Sequence, residues 1–147
     1  MEATRRCEFD DRRLLLKLRQ SIPADITRIT PVVDGVMELV RGMGCAVGKE
    51  FEVETALREA LANAIIHGCG RDADKEVEFV VACDEERGML IVVRDPGPGF
   101  DPSMIKSPVQ GQQVFETHGR GIYLINTLMD EVRFEKGGTE IIMKKRA

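Results

Sequence analysis

Apolar positions along the chain change period several times, and each change marks an element. Alternation over residues 14–22 predicts a strand that Pro23 breaks. Asp25 is placed to cap a helix toward Arg41, with Ile29, Val32, Val33, Val36, Leu39 and Val40 as its buried stripe. Pro31 must then lie in or near the first turn, or kink the helix. Gly42 and Gly44 end it. A second helix is predicted over 50–67, where Val53, Leu57, Leu61 and Ile65 recur at helical spacing and Gly68 and Gly70 follow. After a polar loop at 71–75, Val77, Phe79 and Val81 alternate through a strand over 76–83. A turn at 84–88 and a strand over 89–94 complete a hairpin. Residues 101–118 form a long polar connection, the kind of loop that is usually a functional lid or a disordered segment. A helical run over 122–129 follows Gly119-Arg120-Gly121. Strands over 132–135 and 139–144, joined by Gly137-Gly138, close the chain. The order is strand, helix, helix, hairpin, lid, helix, hairpin. It predicts an α+β two-layer sandwich: a mixed, mostly antiparallel sheet with helices on one face.

Composition narrows the function. A chain of 147 residues suits a single domain over 1–147 with a real core. The net charge of −4 argues against direct nucleic-acid binding. Residues 1–13 are charged and lack an apolar signal core, and no apolar run approaches membrane-spanning length, so a cytoplasmic protein without membrane partners is expected. Cys7, Cys45, Cys69 and Cys83 are far apart and form no C-x-x-C pair. They are expected to be small hydrophobes in a reducing compartment. With only two histidines, a zinc site is not expected. Residues 44–50 distantly imitate a phosphate-binding P-loop, but the glycine spacing is one short, Glu50 replaces Ser or Thr, and no strand leads in.

Three stretches carry candidate chemistry. In Glu59-Ala60-Leu61-Ala62-Asn63-Ala64-Ile65-Ile66-His67-Gly68, Glu59 and Asn63 share one helical face among small or apolar neighbours. A polar stripe beside a core face is the plain alternative to a reacting pair. Asp95 ends an apolar strand and opens Pro96-Gly97-Pro98-Gly99-Phe100. It is either an acceptor for a ligand's amino group, with glycines letting the backbone pass close by, or part of an ordinary turn. Gly119-Arg120-Gly121 at a helix start offers backbone N–H groups suited to phosphate, or is a simple junction.

Together and in this order, these stretches resemble the GHKL ATPase superfamily, with its Bergerat or histidine kinase-like fold. Glu59-x-x-x-Asn63 resembles the N-box, Asp95 to Phe100 the first glycine box, Gly119-Arg120-Gly121-Ile122 the second, and Gly138-Thr139 the late Gly-Thr pair. The run from Glu59 to Gly68 and the short lid are similar to the anti-sigma serine/threonine kinases of bacterial partner switching.

The resemblance implies ATP and Mg²⁺ as cofactors. Glu59 would be the general base and Asn63 the Mg²⁺ ligand. Asp95 would bind the adenine amino group, assisted by Thr139, with Gly97 and Gly99 admitting the base. The lid and the backbone of Gly119, Arg120 and Gly121 would hold the phosphates. Arg120 and His118 are the two candidates for neutralising the γ-phosphate, and His67, Phe100 and Ile122 complete the implied site. Neither His67 nor His118 is placed as a phosphoacceptor. The implied substrate is an anti-anti-sigma (STAS) protein, the implied partner a sigma factor, and the implied assembly a homodimer. Arg28 resembles by position an arginine that relatives use on protein partners; a solvated helix arginine is the alternative. Two other readings are an ATP/ADP-binding partner switch with little catalysis and a histidine-kinase ATP domain acting in trans.

Overall fold

The computed structural model describes residues 14–99 and 117–147, with side chains given from 121 onward in the second segment. Phe100, the lid at 101–116 and residues 1–13, Cys7 among them, lie outside the described residues. The described elements are β1 (Leu14–Pro23), α1 (Ile29–Gly42), α2 (Glu50–Asn63), β2 (Glu76–Asp84), β3 (Gly88–Arg94), α3 (Thr117–Leu128), β4 (Glu131–Glu135) and β5 (Glu140–Lys145). The strands form one sheet in the order β1-β2-β3-β5-β4. Every described pairing is antiparallel, so the sheet is α+β as expected but without a parallel pair. Tight turns join β2 to β3 and β4 to β5, and a tight turn can only return a strand antiparallel to itself.

The helices pack on one face. Val77, Phe79, Val81 and Cys83 turn inward from β2 and meet Val53, Leu57, Leu61 and Ile65, all nearly or fully inaccessible. The opposite face carries a smaller apolar cluster of Val80, Ala82, Leu90, Val92 and Ile142. Burial on both faces explains why β3 reads as a continuous apolar run rather than a clean alternation.

Asp25 does cap the first helical segment. Its Oδ1 accepts from the Thr27 amide at 2.9 Å and the Thr27 hydroxyl at 2.8 Å, opening a 3-10 turn at Ile26–Arg28 that leads into α1. Pro31 lies in the first α-turn, where its missing N–H costs little. The stripe differs in one respect: Leu39 is 46% exposed and Met37 is buried instead. At about 100° per residue, Val33, Val36, Met37 and Val40 cluster on one side and Leu39 falls roughly 100° away from them.

The second helix ends differently from its prediction. After Asn63 the backbone widens into a π-turn, Ala64–Gly68, closed by Cys69 N–H donating to the Ala64 carbonyl at 2.9 Å. Such widened turns are frequent at functional sites. The cysteines also need correction. Cys45 and Cys83 form a disulfide with Cα atoms 6.1 Å apart, instead of remaining reduced. The loop after α1 carries Cys45 onto the inward face of β2, a juxtaposition with no signature in spacing. Cys69 is free and buried; burial pushes its thiol up, and nearby Asp95 adds to this. The P-loop imitation is a linker between α1 and α2, and Lys49 Nζ donates to the carbonyls of Arg146 and Ala147.

Candidate nucleotide site

Glu59 and Asn63 lie one turn apart near the end of α2, both partly buried, on the face that meets α3. α3 presents Gly121 to them. A Cβ on Gly121 would stand 2.9 Å from Glu59 Oε1, 3.0 Å from Asn63 Nδ2 and 3.3 Å from Asn63 Oδ1. The carboxylate and the amide therefore converge on one point, with space kept by the missing side chain. α3 begins at Thr117, about one turn earlier than the glycine pattern predicts, so Gly119, Arg120 and Gly121 lie within its first turns. Glycine reads locally as a helix breaker; here it sits inside the helix, and a side chain in its place would displace the ends of the Glu59 and Asn63 side chains. The amides of the first helical residues have no intrahelical acceptor, an arrangement suited to an anion. The side chains of His118 and Arg120 lie outside what the structure describes.

Asp95 follows β3 directly. Its N–H donates to the Thr139 carbonyl at 3.0 Å, and its Oδ1 accepts from the Gly97 N–H at 2.8 Å. Burial raises its carboxyl above the ordinary carboxylate range, and the Gly97 hydrogen bond opposes this in part. The π-turn brings Gly68 against this carboxylate: a Cβ there would lie 2.2 Å from Asp95 Cγ, and one on Gly97 would meet the Gly68 carbonyl. Gly99 has φ of +81° and backs onto the Gly137 carbonyl. These glycines thus allow protein backbone to approach protein, whatever they also allow a ligand.

Between these parts lies a cleft of about 240 Å³. Asn63, His67, Asp95, Gly99, Ile122 and Thr139, all candidates from the sequence, line it. Glu59, Gly97 and Gly121 are not among its lining residues; Glu59 stands beside it against Gly121, and Gly97 packs against the Gly68 carbonyl. Thr139 Oγ1 donates to the Lys136 carbonyl at 2.9 Å, which leaves its oxygen available as an acceptor. Sequence reasoning missed the apolar walls: Ala64, Val93, Phe134 and Ile141. Ala64 and Val93 border motifs and were findable; Phe134 and Ile141 come from a hairpin far along the chain. An apolar slot with a half-buried carboxylate at its floor fits a flat heteroaromatic ring bearing an amino group. Asn63 Oδ1 is a hard oxygen donor of the kind that completes Mg²⁺ coordination alongside phosphates.

The family model described as the histidine kinase-like ATPase domain matches residues 22–145. The chain is 39% identical over 101 residues to the anti-sigma F factor of Clostridium novyi (strain NT), covering 65% of this chain and 69% of that one. It is 29% identical over 132 residues to the anti-sigma F factor of Priestia megaterium, covering 86% and 80%. It is also 29% identical over 136 residues to the serine-protein kinase RsbW of Bacillus mycoides (strain KBAB4), covering 88% and 84%. With the match spanning the helices, four of the five described strands and the residues that line the cleft, this chain belongs to the histidine kinase-like ATPase family.

Proposed function

We propose that this chain is an ATP-dependent serine/threonine protein kinase and anti-sigma factor, which phosphorylates an anti-anti-sigma (STAS) protein and sequesters a sigma factor. Similarity to anti-sigma F factors and RsbW kinases supports the class of activity. The observation that carries the reading is the convergence of Glu59 and Asn63 on Gly121 beside the cleft floored by Asp95.

The residues fit the nucleotide. Ionised Asp95 offers a buried acceptor to the adenine amino group, and the apolar walls suit the ring. Bound ATP with Mg²⁺ supplies the transferable phosphoryl group. Asn63 Oδ1 is the proposed metal ligand. The α3 N-terminus, with Gly119, Arg120 and Gly121, is the proposed phosphate cradle. Glu59 would accept the proton of the attacking serine hydroxyl as its oxygen bonds to the γ-phosphorus and the bond from that phosphorus to the β,γ-bridging oxygen breaks, releasing ADP. Phosphoryl transfer depends chiefly on positioning and charge stabilisation, so a site of one base, one amide and a helix end is sufficient. Among the described residues no helix is long and apolar enough to cross a membrane. A cytoplasmic homodimer is part of the proposal.

The test mixes purified protein, labelled ATP and a STAS protein encoded beside it. Transfer to a serine or threonine that Glu59→Gln abolishes supports the kinase. ATP-dependent partner release that survives Glu59→Gln supports instead a nucleotide-gated switch with little catalysis. A phosphorylated histidine on a neighbouring protein supports a histidine-kinase domain acting in trans.

A further inference from the structure

Behind the floor of the cleft, on the other side of the sheet, lies a charged cluster that the proposed mechanism does not use. Arg94 immediately precedes Asp95, and Glu140 immediately follows Thr139. The two are cross-strand partners on β3 and β5. Arg94 Nε donates to Glu140 Oε1 at 2.8 Å, and Arg94 Nη1 donates to Glu78 Oε1 at 2.7 Å. Glu140 is fully inaccessible, and its Oε1 also lies 3.3 Å from Lys136 Nζ. Lys136 has φ of +55°, a conformation that side chains other than glycine rarely adopt. The carbonyl of Lys136 accepts the Thr139 hydroxyl, and the Thr139 carbonyl accepts the Asp95 amide.

These contacts close a ring from Arg94 through Glu140, Lys136 and Thr139 to Asp95, which is covalently joined to Arg94. Gly99, at the far end of the same loop, backs onto Gly137 of the same turn. Hydrogen bonds between β3 and β5 hold the strands together without any of these charges. Burying a carboxylate against an arginine gains little stability over apolar residues of similar size. What the pair adds is a defined geometry for the strand ends.

We infer that the Arg94–Glu140 pair, braced by Lys136, positions Asp95 and Thr139 so that the cleft selects a purine bearing a 6-amino group. This rests on the nucleotide reading above. The two residues are positioning residues: they are the chain neighbours of Asp95 and Thr139, the groups that would touch the base. A small displacement of Asp95 leaves an apolar slot that still takes a purine ring and loses the hydrogen bond that distinguishes one purine from another.

The experiment measures the affinity of the full chain, with Mg²⁺, for ATP and for purine riboside triphosphate, which lacks the amino group. The double variant Arg94→Met/Glu140→Leu replaces both charges by apolar groups and is expected to fold. Arg94→Lys retains the charge but not the fork that reaches two carboxylates. Wild type is expected to prefer ATP by at least tenfold. The double variant is expected to lose most of that preference through weaker ATP binding, with purine riboside triphosphate affinity nearly unchanged. Arg94→Lys is expected to fall between. A preference that stays at the wild-type value in both variants overturns the inference, whatever happens to the melting temperature. Asp95→Asn is the control that separates the two levels. If it leaves ATP affinity untouched in the wild-type background, the nucleotide reading fails. If it weakens ATP binding while the Arg94 variants do not, only the positioning role fails.

Discussion

Gly121 on α3 lies so close to Asn63 on α2 that a methyl group on the glycine would come within 3.0 Å of the amide nitrogen. The same methyl would stand 2.9 Å from Glu59 Oε1. A glycine within a helix normally costs about 1 kcal/mol relative to alanine. Here it leaves room for the proposed catalytic pair. Gly121→Ala is therefore expected to leave the melting temperature unchanged or slightly raised. Phosphoryl transfer should fall about 100-fold, because a misplacement of about 1 Å is enough for that. Differential scanning fluorimetry with a phosphotransfer assay checks both. Full activity in the variant would show that the pair does not work from this position.

Glu59 and Asn63 are expected to separate kinetically. Glu59→Gln preserves shape and removes the proton acceptor, so the turnover rate should drop by about 10²–10⁴-fold with ATP affinity near wild type. Asn63→Ala removes the proposed metal ligand, so ATP affinity should lose its dependence on Mg²⁺. Titrations with and without Mg²⁺, beside single-turnover rates, test the division. Two variants that fail in the same way would argue against distinct roles.

Burial raises the Asp95 carboxyl above its unfolded value. An acid raised in this way favours the folded state at pH below its unfolded value, and that contribution disappears as pH rises through the folded value. At neutral pH the ionised carboxylate thus weakens the empty protein while offering an acceptor to the proposed ligand. Asp95→Asn is expected to melt at or above the wild-type temperature at pH 7, with the difference shrinking as pH falls toward the carboxylate range. ATP affinity should fall at least tenfold. Thermal melts across pH and calorimetric binding give the two readings; a variant that melts well below wild type at pH 7 contradicts the first.

The Cys45–Cys83 bridge closes a loop across a sequence separation of 38 residues. Chain-entropy reasoning assigns such a loop about 4 kcal/mol. Cys83 pairs with Met89 at one end of the β2–β3 hairpin, whereas Glu78 pairs with Arg94 beside the cleft at the other. Reduction, or Cys45→Ser, is expected to lower stability to urea by about that amount and to leave nucleotide affinity within twofold. A reduced protein that is equally stable, or one that loses ATP binding, would overturn this.

Much of the architecture was legible in the chain. Val53, Leu57, Leu61 and Ile65 announced the inner face of α2 by their spacing alone, and the hairpins followed from alternation and glycine turns. Glu59 with Asn63, and Asp95 with its glycines, were visible as chemistry out of keeping with their surroundings. These features are local, set by backbone period, side-chain branching and turn preference, and so they survive being read one segment at a time. The tertiary structure decided the rest. Only packing of α3 on α2 placed Gly121 against Asn63, in a helix that starts at Thr117. Only the meeting of the α2 end with Asp95 gave the π-turn a purpose for Gly68. Leu39 faced solvent and Met37 the core because packing into the shared core fixed the helix rotation. Phe134 and Ile141 became walls of the cleft, and Cys45 found Cys83, across long stretches of chain. Contacts of that kind depend on how whole elements stack, which burial of apolar surface determines collectively and which no single segment encodes.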